Sequence, residues 1–121
     1  MSKTILIVED NKLNMKLFND ILQAQGYNTV QASDGGTFLN LVRERKPDLI
    51  LMDIRLGKVS GVELTRMLKT DGKLKEIPVV AVTALAMKKD KEAILECGCD
   101  AYVSKPVSVQ TLLNVVSKFL N

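Results

Sequence analysis

Five polar residues close four apolar runs of this 121-residue chain: "ILIVED" ends on Glu9 and Asp10, "LILMD" on Asp53, "VVAVT" on Thr83, and "YVSKP" carries Lys105 ahead of Pro106. If those runs are strands ending at one edge of a sheet, three carboxylates, one hydroxyl and one ammonium converge there. Two like charges about 4 Å apart repel by roughly 4 kcal/mol at a moderate effective dielectric, so such a cluster calls for a counter-ion. Magnesium suits it, because it takes hard oxygen ligands and keeps room for waters and phosphate oxygens. Calcium is disfavoured by the absence of an EF-hand loop. Beside a metal, one carboxylate can act as a nucleophile and form an aspartyl phosphate. Asp53, which leaves the most central apolar run, is the best placed. In phosphoryl transfer the negative charge spreads over equatorial oxygens, and Lys105 and Thr83 supply the cation and the hydroxyl donor that this requires. Each residue alone reads as a helix cap or a solvated charge; their joint position at strand ends carries the argument.

Strand-length runs recur as "TILIV", "LILM", "VVAV" and "AYV", with a weaker candidate in "NTVQA", and stretches of helical period lie between them. The first helix opens near Asn11, shows Leu17, Phe18, Ile21 and Leu22 as its apolar stripe, and ends before Gly26. Phe38, Leu41 and Val42 mark the second, which Pro47 closes by disfavouring a helical conformation at Lys46. "SGVE" opens the third, with Ser60 as cap and Glu63 able to reach back, and Leu64, Met67 and Leu68 are expected to face the core. A Lys-rich fourth helix runs to about Gly98, and the fifth carries Val109, Leu112, Leu113, Val116, Phe119 and Leu120. Five β/α units with continuously apolar strands predict an α/β domain with a doubly wound parallel sheet, covered on both faces, rather than a barrel of about eight units. Ligands of such sheets bind outside the carboxyl ends of the strands.

With 46% hydrophobic residues the chain can build one core, and residues 1–121 are expected to form one domain. Its net charge of +3 and sparse aromatics fall short of a nucleic-acid-binding surface. No apolar run is long enough for a membrane span or a signal peptide, so a cytoplasmic location is expected. Cys97 and Cys99 then read as reduced thiols; the chain has no histidine to help them hold a metal.

In order and spacing, "VED", "LILMD", "AVTA" and "KP" resemble the response-regulator receiver domains of two-component signalling, over essentially the whole chain. Within that family, "VEDNKLNMKLF", "PDLILMDI", "IPVVAVTALAMK" and "SKPVSV" are most similar to single-domain DivK-type cell-cycle regulators. The resemblance implies a flavodoxin-like sheet of strand order 2-1-3-4-5 with five helices. It implies that Asp53 accepts phosphate from a sensor histidine kinase or a histidine phosphotransfer protein, and that Asp10, helped by Glu9, holds Mg²⁺ together with Asp53 and the backbone carbonyl of Arg55. Thr83 would bond the phosphoryl group in the active state, and Lys105, before a typically cis Pro106, would pair with another of its oxygens. Tyr102 matches an aromatic switch that turns inward when the threonine moves. One departure is Gly57, where receivers commonly have proline, which implies a looser loop after Asp53. Arg55 and Leu85 flank the site and could set how readily water attacks the acyl phosphate.

No output domain is expected after Asn121, so the phosphorylated protein would signal through other proteins rather than act as a dedicated enzyme or bind nucleic acid or membrane. Phosphorylation would draw Thr83 and "ALAMKK" toward the site and remodel the face of the fourth helix, last strand and last helix, beside Lys88, Lys89 and Lys91, for a downstream kinase or pseudokinase. Asn14 and Leu17 on the first helix would dock the phosphodonor. Three other readings stand beside this one. A pseudo-receiver would bind partners without phosphorylation. A Mg-dependent aspartyl-phosphate phosphohydrolase would place a second aspartate where Arg55 stands, and a nucleotide-binding domain would need a GxxxxGK[ST] or GxGxxG loop that the chain lacks.

Overall fold

The computed structural model describes residues 2–56, 59–84 and 88–120, with the main chain only at 55, 56, 59 and 88–90. Five parallel strands form the sheet: β1 (Thr4–Val8), β2 (Asn28–Ala32), β3 (Leu49–Asp53), β4 (Val79–Thr83) and β5 (Ala101–Ser104). Their spatial order is β2-β1-β3-β4-β5, the order implied by the resemblance, and the weak candidate "NTVQA" is the edge strand β2. Five helices connect and flank them: α1 (Lys12–Ala24), α2 (Phe38–Arg45), α3 (Gly61–Lys69), α4 (Lys88–Glu96) and α5 (Val109–Leu120). Order reverses between β1 and β3, which opens a crevice at their carboxyl ends.

Side chains alternate along each strand, so the sheet feeds two cores. Leu6, Val8, Ile50, Met52, Val79 and Ala81 pack with Phe38, Leu64, Leu68 and Ile94 from α2, α3 and α4. Ile5, Ile7, Leu49, Leu51, Val80 and Val82 pack with Phe18, Leu22, Leu112 and Val116 from α1 and α5. Because both faces are covered, β3 and β4 are buried at every position, which is why they read as unbroken apolar runs.

Local signals set the helix ends. Asn11 Oδ1 accepts the Asn14 amide at 2.9 Å and starts α1. At its far end Gly26 adopts φ +90°, while the Tyr27 and Gly26 amides donate back to the Leu22 and Gln23 carbonyls, a Schellman closure. Lys46, barred from the helical region by Pro47, ends α2 at φ 43°. Ser60 Oγ accepts the Val62 amide and starts α3.

The stripe expected on α3 is shifted. Gly61, Leu64, Thr65 and Leu68 are buried, whereas Met67 is 50% exposed, because those four residues centre the buried face about 110° from Met67 at 100° per residue. Leu17 on α1 and Val109 on α5 are likewise exposed, at 46% and 52%, at the margins of stripes centred on Phe18/Leu22 and Leu112/Val116. Cys97 and Cys99 are buried free thiols with Sγ atoms 3.7 Å apart, and burial, reinforced by the neighbouring thiol, pushes Cys99 up to about 12. Among the described residues no helix is long and apolar enough to cross a membrane.

Candidate functional site

The carboxyl edge of the sheet gathers the residues that the strand-end pattern selected. Glu9 follows β1 and extends its pairing, with its amide donating to the Ala32 carbonyl at 3.0 Å. Its side chain is buried and its Oε2 accepts the Asn11 amide at 3.2 Å, so the turn into α1 fixes the carboxylate against the strand end. Asp10, next in the chain, is exposed. Asp53 is the last residue of β3, in register with Val82 of β4, and only 5% exposed. Carboxylate oxygens of Glu9, Asp10 and Asp53 all lie within 4.8 Å of one another.

Lys105 follows β5. Its amide donates to the Thr83 carbonyl at 2.8 Å, which ties it to the end of β4, and the Lys105–Pro106 peptide is cis. The ammonium donates to Glu9 Oε1 at 2.9 Å and lies 3.5 Å from Asp53 Oδ2. Thr83 is buried at the end of β4, in register with Ser104. The structure thus brings Glu9, Asp10, Asp53 and Lys105 into one cluster and sets Thr83 at the adjoining strand end.

Electrostatics follow from this packing. Burial by itself would push the Glu9 carboxyl up, but hydrogen bonds with Asp53, Lys105 and the Asn11 amide, with the ammonium's charge, outweigh it and hold Glu9 below its ordinary 4.5. Burial likewise opposes the charged form of Lys105, yet its bond to Glu9 and the charges of Asp53 and Glu9 raise it above 10.5. Among the described residues, one ammonium meets three carboxylates here, a formal excess of two negative charges. That excess, presented by hard oxygen donors at a partly open edge, fits a divalent cation such as Mg²⁺.

The other expected residues are placed less centrally. Tyr102 is half-buried in β5 opposite Ala81, two positions back from the edge at Thr83, and the Lys91 ammonium sits 5.6 Å from its ring centre. Lys91 therefore has an aromatic partner instead of projecting from a plain solvated face. The Arg55 main chain belongs to a two-residue antiparallel ladder, Arg55–Leu56 against Val59–Ser60, which Ile54 separates from Asp53. Gly57 and Leu85 lie outside the described residues, as do the side chains of Lys88 and Lys89.

Sequence reading passed over Gly61. Its amide donates to the Ile54 carbonyl at 2.9 Å, and its Cα lies against the Asp53 main chain. The available signal was a glycine in the first turn of a helix, where alanine would be the better helix former.

Comparison with known proteins identifies the family. The family described as the response regulator receiver domain matches residues 5–117. A polar-differentiation response regulator, DivK, of Brucella anthropi is 53% identical over 120 residues, covering 99% of this chain and 98% of that protein. Among solved structures, the signal receiver domain of a signal transduction histidine kinase from Syntrophus aciditrophicus superposes with a TM-score of 0.91 at 33% identity, covering 98% of this chain and 90% of that one. The receiver domain of a Pseudomonas aeruginosa sensor histidine kinase, solved with magnesium coordinated in its active-site cleft, gives 0.90 at 29% identity and covers 98% of each chain. A family match reaching from β1 into α5 and a relative aligned nearly end to end lead to one conclusion: this chain is a member of the response-regulator receiver domains.

Proposed function

We propose that this receiver accepts a phosphoryl group on Asp53 in a Mg²⁺-dependent reaction and signals by phosphorylation-dependent binding to other proteins, from the cytoplasm. The observation that carries this reading is the meeting of the Glu9, Asp10 and Asp53 carboxylates with one ammonium at the crevice beside β3. Asp10 and Asp53, with Glu9 beside them and the Arg55 carbonyl as a further ligand, would hold the metal, which supplies positive charge against the oxygens of the transferred group. An Asp53 carboxylate oxygen bonds to phosphorus as the phosphorus–nitrogen bond of a donor phosphohistidine breaks; the electron pair stays on the imidazole nitrogen, which takes a proton. Lys105, whose raised pKa keeps it charged, pairs with a phosphoryl oxygen, and the Thr83 hydroxyl donates to another.

The donor is a sensor histidine kinase or a histidine phosphotransfer protein. A cavity of about 350 Å³ lined by Asn14, Leu17, Ala84, Pro106 and Val107 opens beside Lys105, and its apolar walls support docking there. Phosphorylation adds charge and acceptor oxygens at the end of β3, and drawing Thr83 inward would let Tyr102 move and alter the α4-β5-α5 face. A full reversal of such a two-state equilibrium needs about 5.5 kcal/mol of differential stabilisation. The identity to polar-differentiation regulators supports a role in cell-cycle or cell-division control, with a kinase or pseudokinase as target.

Intact-mass spectrometry tests the chemistry. One added phosphoryl mass is expected after incubation with Mg²⁺ and acetyl phosphate or a phosphorylated histidine kinase, and none with EDTA or in Asp53→Ala. Failure with both donors, together with failure to bind beryllofluoride, would overturn the reading in favour of a phosphorylation-independent binding module.

A further inference from the structure

We propose that Gly61, locked by Thr65, is a positioning residue of the phosphoacceptor: the first turn of α3 is seated on the main chain of Asp53 and sets the direction in which the strand end presents its carboxylate and the Arg55 carbonyl. This inference rests on the reading of Asp53 as phosphoacceptor and of Arg55 as a metal ligand.

Space, and not backbone conformation, demands glycine here. Gly61 is not among the residues with positive φ, so alanine could adopt its conformation and would favour the helix. A Cβ at Gly61 would nevertheless overlap the Asp53 carbonyl oxygen and lie 2.8 Å from Ile54 Cα and 3.1 Å from the Asp53 carbonyl carbon. All three are main-chain atoms, so no rotamer change relieves the clash; either α3 retreats or the end of β3 moves.

Hydrogen bonds hold the contact from both sides. The Gly61 amide donates to the Ile54 carbonyl at 2.9 Å and closes the base of the segment that carries Arg55. On the other side Thr65, fully buried, donates its hydroxyl to the Gly61 carbonyl at 2.8 Å. The Ile54 amide in turn donates to Val82 of β4, next to Thr83, at 3.3 Å. Thus one short chain of main-chain contacts runs from α3 through the peptide after Asp53 to the strand that bears Thr83. Groups that orient metal ligands from outside commonly contribute about 10–100-fold to metal affinity.

The test compares Gly61→Ala, Thr65→Val and Thr65→Ser with the wild type by amide NMR titration with Mg²⁺, well below each variant's unfolding temperature. Gly61→Ala is expected to weaken Mg²⁺ binding by about tenfold or more. Thr65→Val, which keeps the shape and loses the donor, is expected to weaken it by about twofold to tenfold, and Thr65→Ser to restore it. Metal-free spectra of the Thr65 variants should remain folded, with shift changes concentrated at residues 53–55 and 61. Wild-type affinity in folded Gly61→Ala and Thr65→Val overturns the inference, as does equal weakening by Thr65→Ser and Thr65→Val. If Gly61→Ala does not fold, the Thr65 pair decides alone. Absence of Mg²⁺ binding by the wild type would instead overturn the functional reading itself.

Discussion

Two lysines grip acidic residues at opposite edges of the sheet, and they are neutralised to different degrees. At the amino edge Lys69 donates to the Lys75 and Ile77 carbonyls at 3.1 and 2.8 Å and to Asp100 Oδ2 at 3.1 Å, which uses all three of its donors. The same Asp100 oxygen accepts the Val79 amide at 2.8 Å, so charge and hydrogen bonds close on themselves. At the carboxyl edge Lys105 faces Glu9 and Asp53, with Asp10 in the same cluster, so among the described residues the acids outnumber it three to one. The first arrangement is complete and braces the entry to β4; the second carries surplus negative charge, which suits the cation proposed to bind there. Excess like charge, not the presence of an ion pair, distinguishes the carboxyl edge.

The largest expected effect breaks the comparison at its reactive end. Asp53→Asn should abolish phosphoryl incorporation in intact-mass measurements while the domain stays folded. Because it removes one of three clustered carboxylates, the same change should raise the metal-free Tm by about 2–5 °C. A fall in Tm would mean that the cluster is not strained by its own charge.

Exchanging the lysines for methionine sharpens the contrast. Lys69→Met should cost about 1–3 kcal/mol in urea unfolding, through lost bonds to two carbonyls and Asp100, and leave phosphorylation per folded molecule unchanged. Lys105→Met should lower metal-free stability by about 1–2 kcal/mol, since Glu9 and Asp53 then face each other without their counter-charge. Saturating Mg²⁺ should raise the Tm of Lys105→Met by more than that of the wild type, and that of Lys69→Met by the wild-type increment. Equal increments in both variants would contradict the distinction between the edges.

Dependence on pH probes the carboxyl edge. Glu9 is lowered from 4.5 in the fold, so its contribution to stability is present above that value and is lost as pH falls below it. Lys105 is raised from 10.5, so its contribution is present below that value and is lost as pH rises through it. Urea midpoints of the metal-free protein should therefore fall on both limbs, and Lys105→Met should flatten the alkaline one. The smallest effect concerns Lys46 near the amino edge, which adopts φ 43°: Lys46→Gly should stabilise by about 0.5–1 kcal/mol in the same assay.

The two edges also differ in how far they could be read from sequence. Glu9, Asp53, Thr83 and Lys105 were legible because each closes an apolar run, and a parallel sheet puts the ends of its strands on one edge. Lys69 was not, because its acceptors come from residues 75, 77 and 100 and no local pattern announces them. Periodicity placed α3 correctly yet put Met67 in the core, because a short stripe leaves the centre of the buried face uncertain by a residue and the close seat of Gly61 decides it. The Lys91–Tyr102 contact joins a helix to a strand across tertiary space, and so a lysine-rich helix alone gave no sign of it.

The most direct test of the account is a Mg²⁺ titration of the uniformly labelled wild-type protein followed by amide NMR. Saturable shifts are expected, centred on Glu9, Asp10 and residues 53–55 and spreading to Lys105, with none at Lys69 or Asp100. Shifts absent from the carboxyl edge, or equal at the two edges, would contradict it.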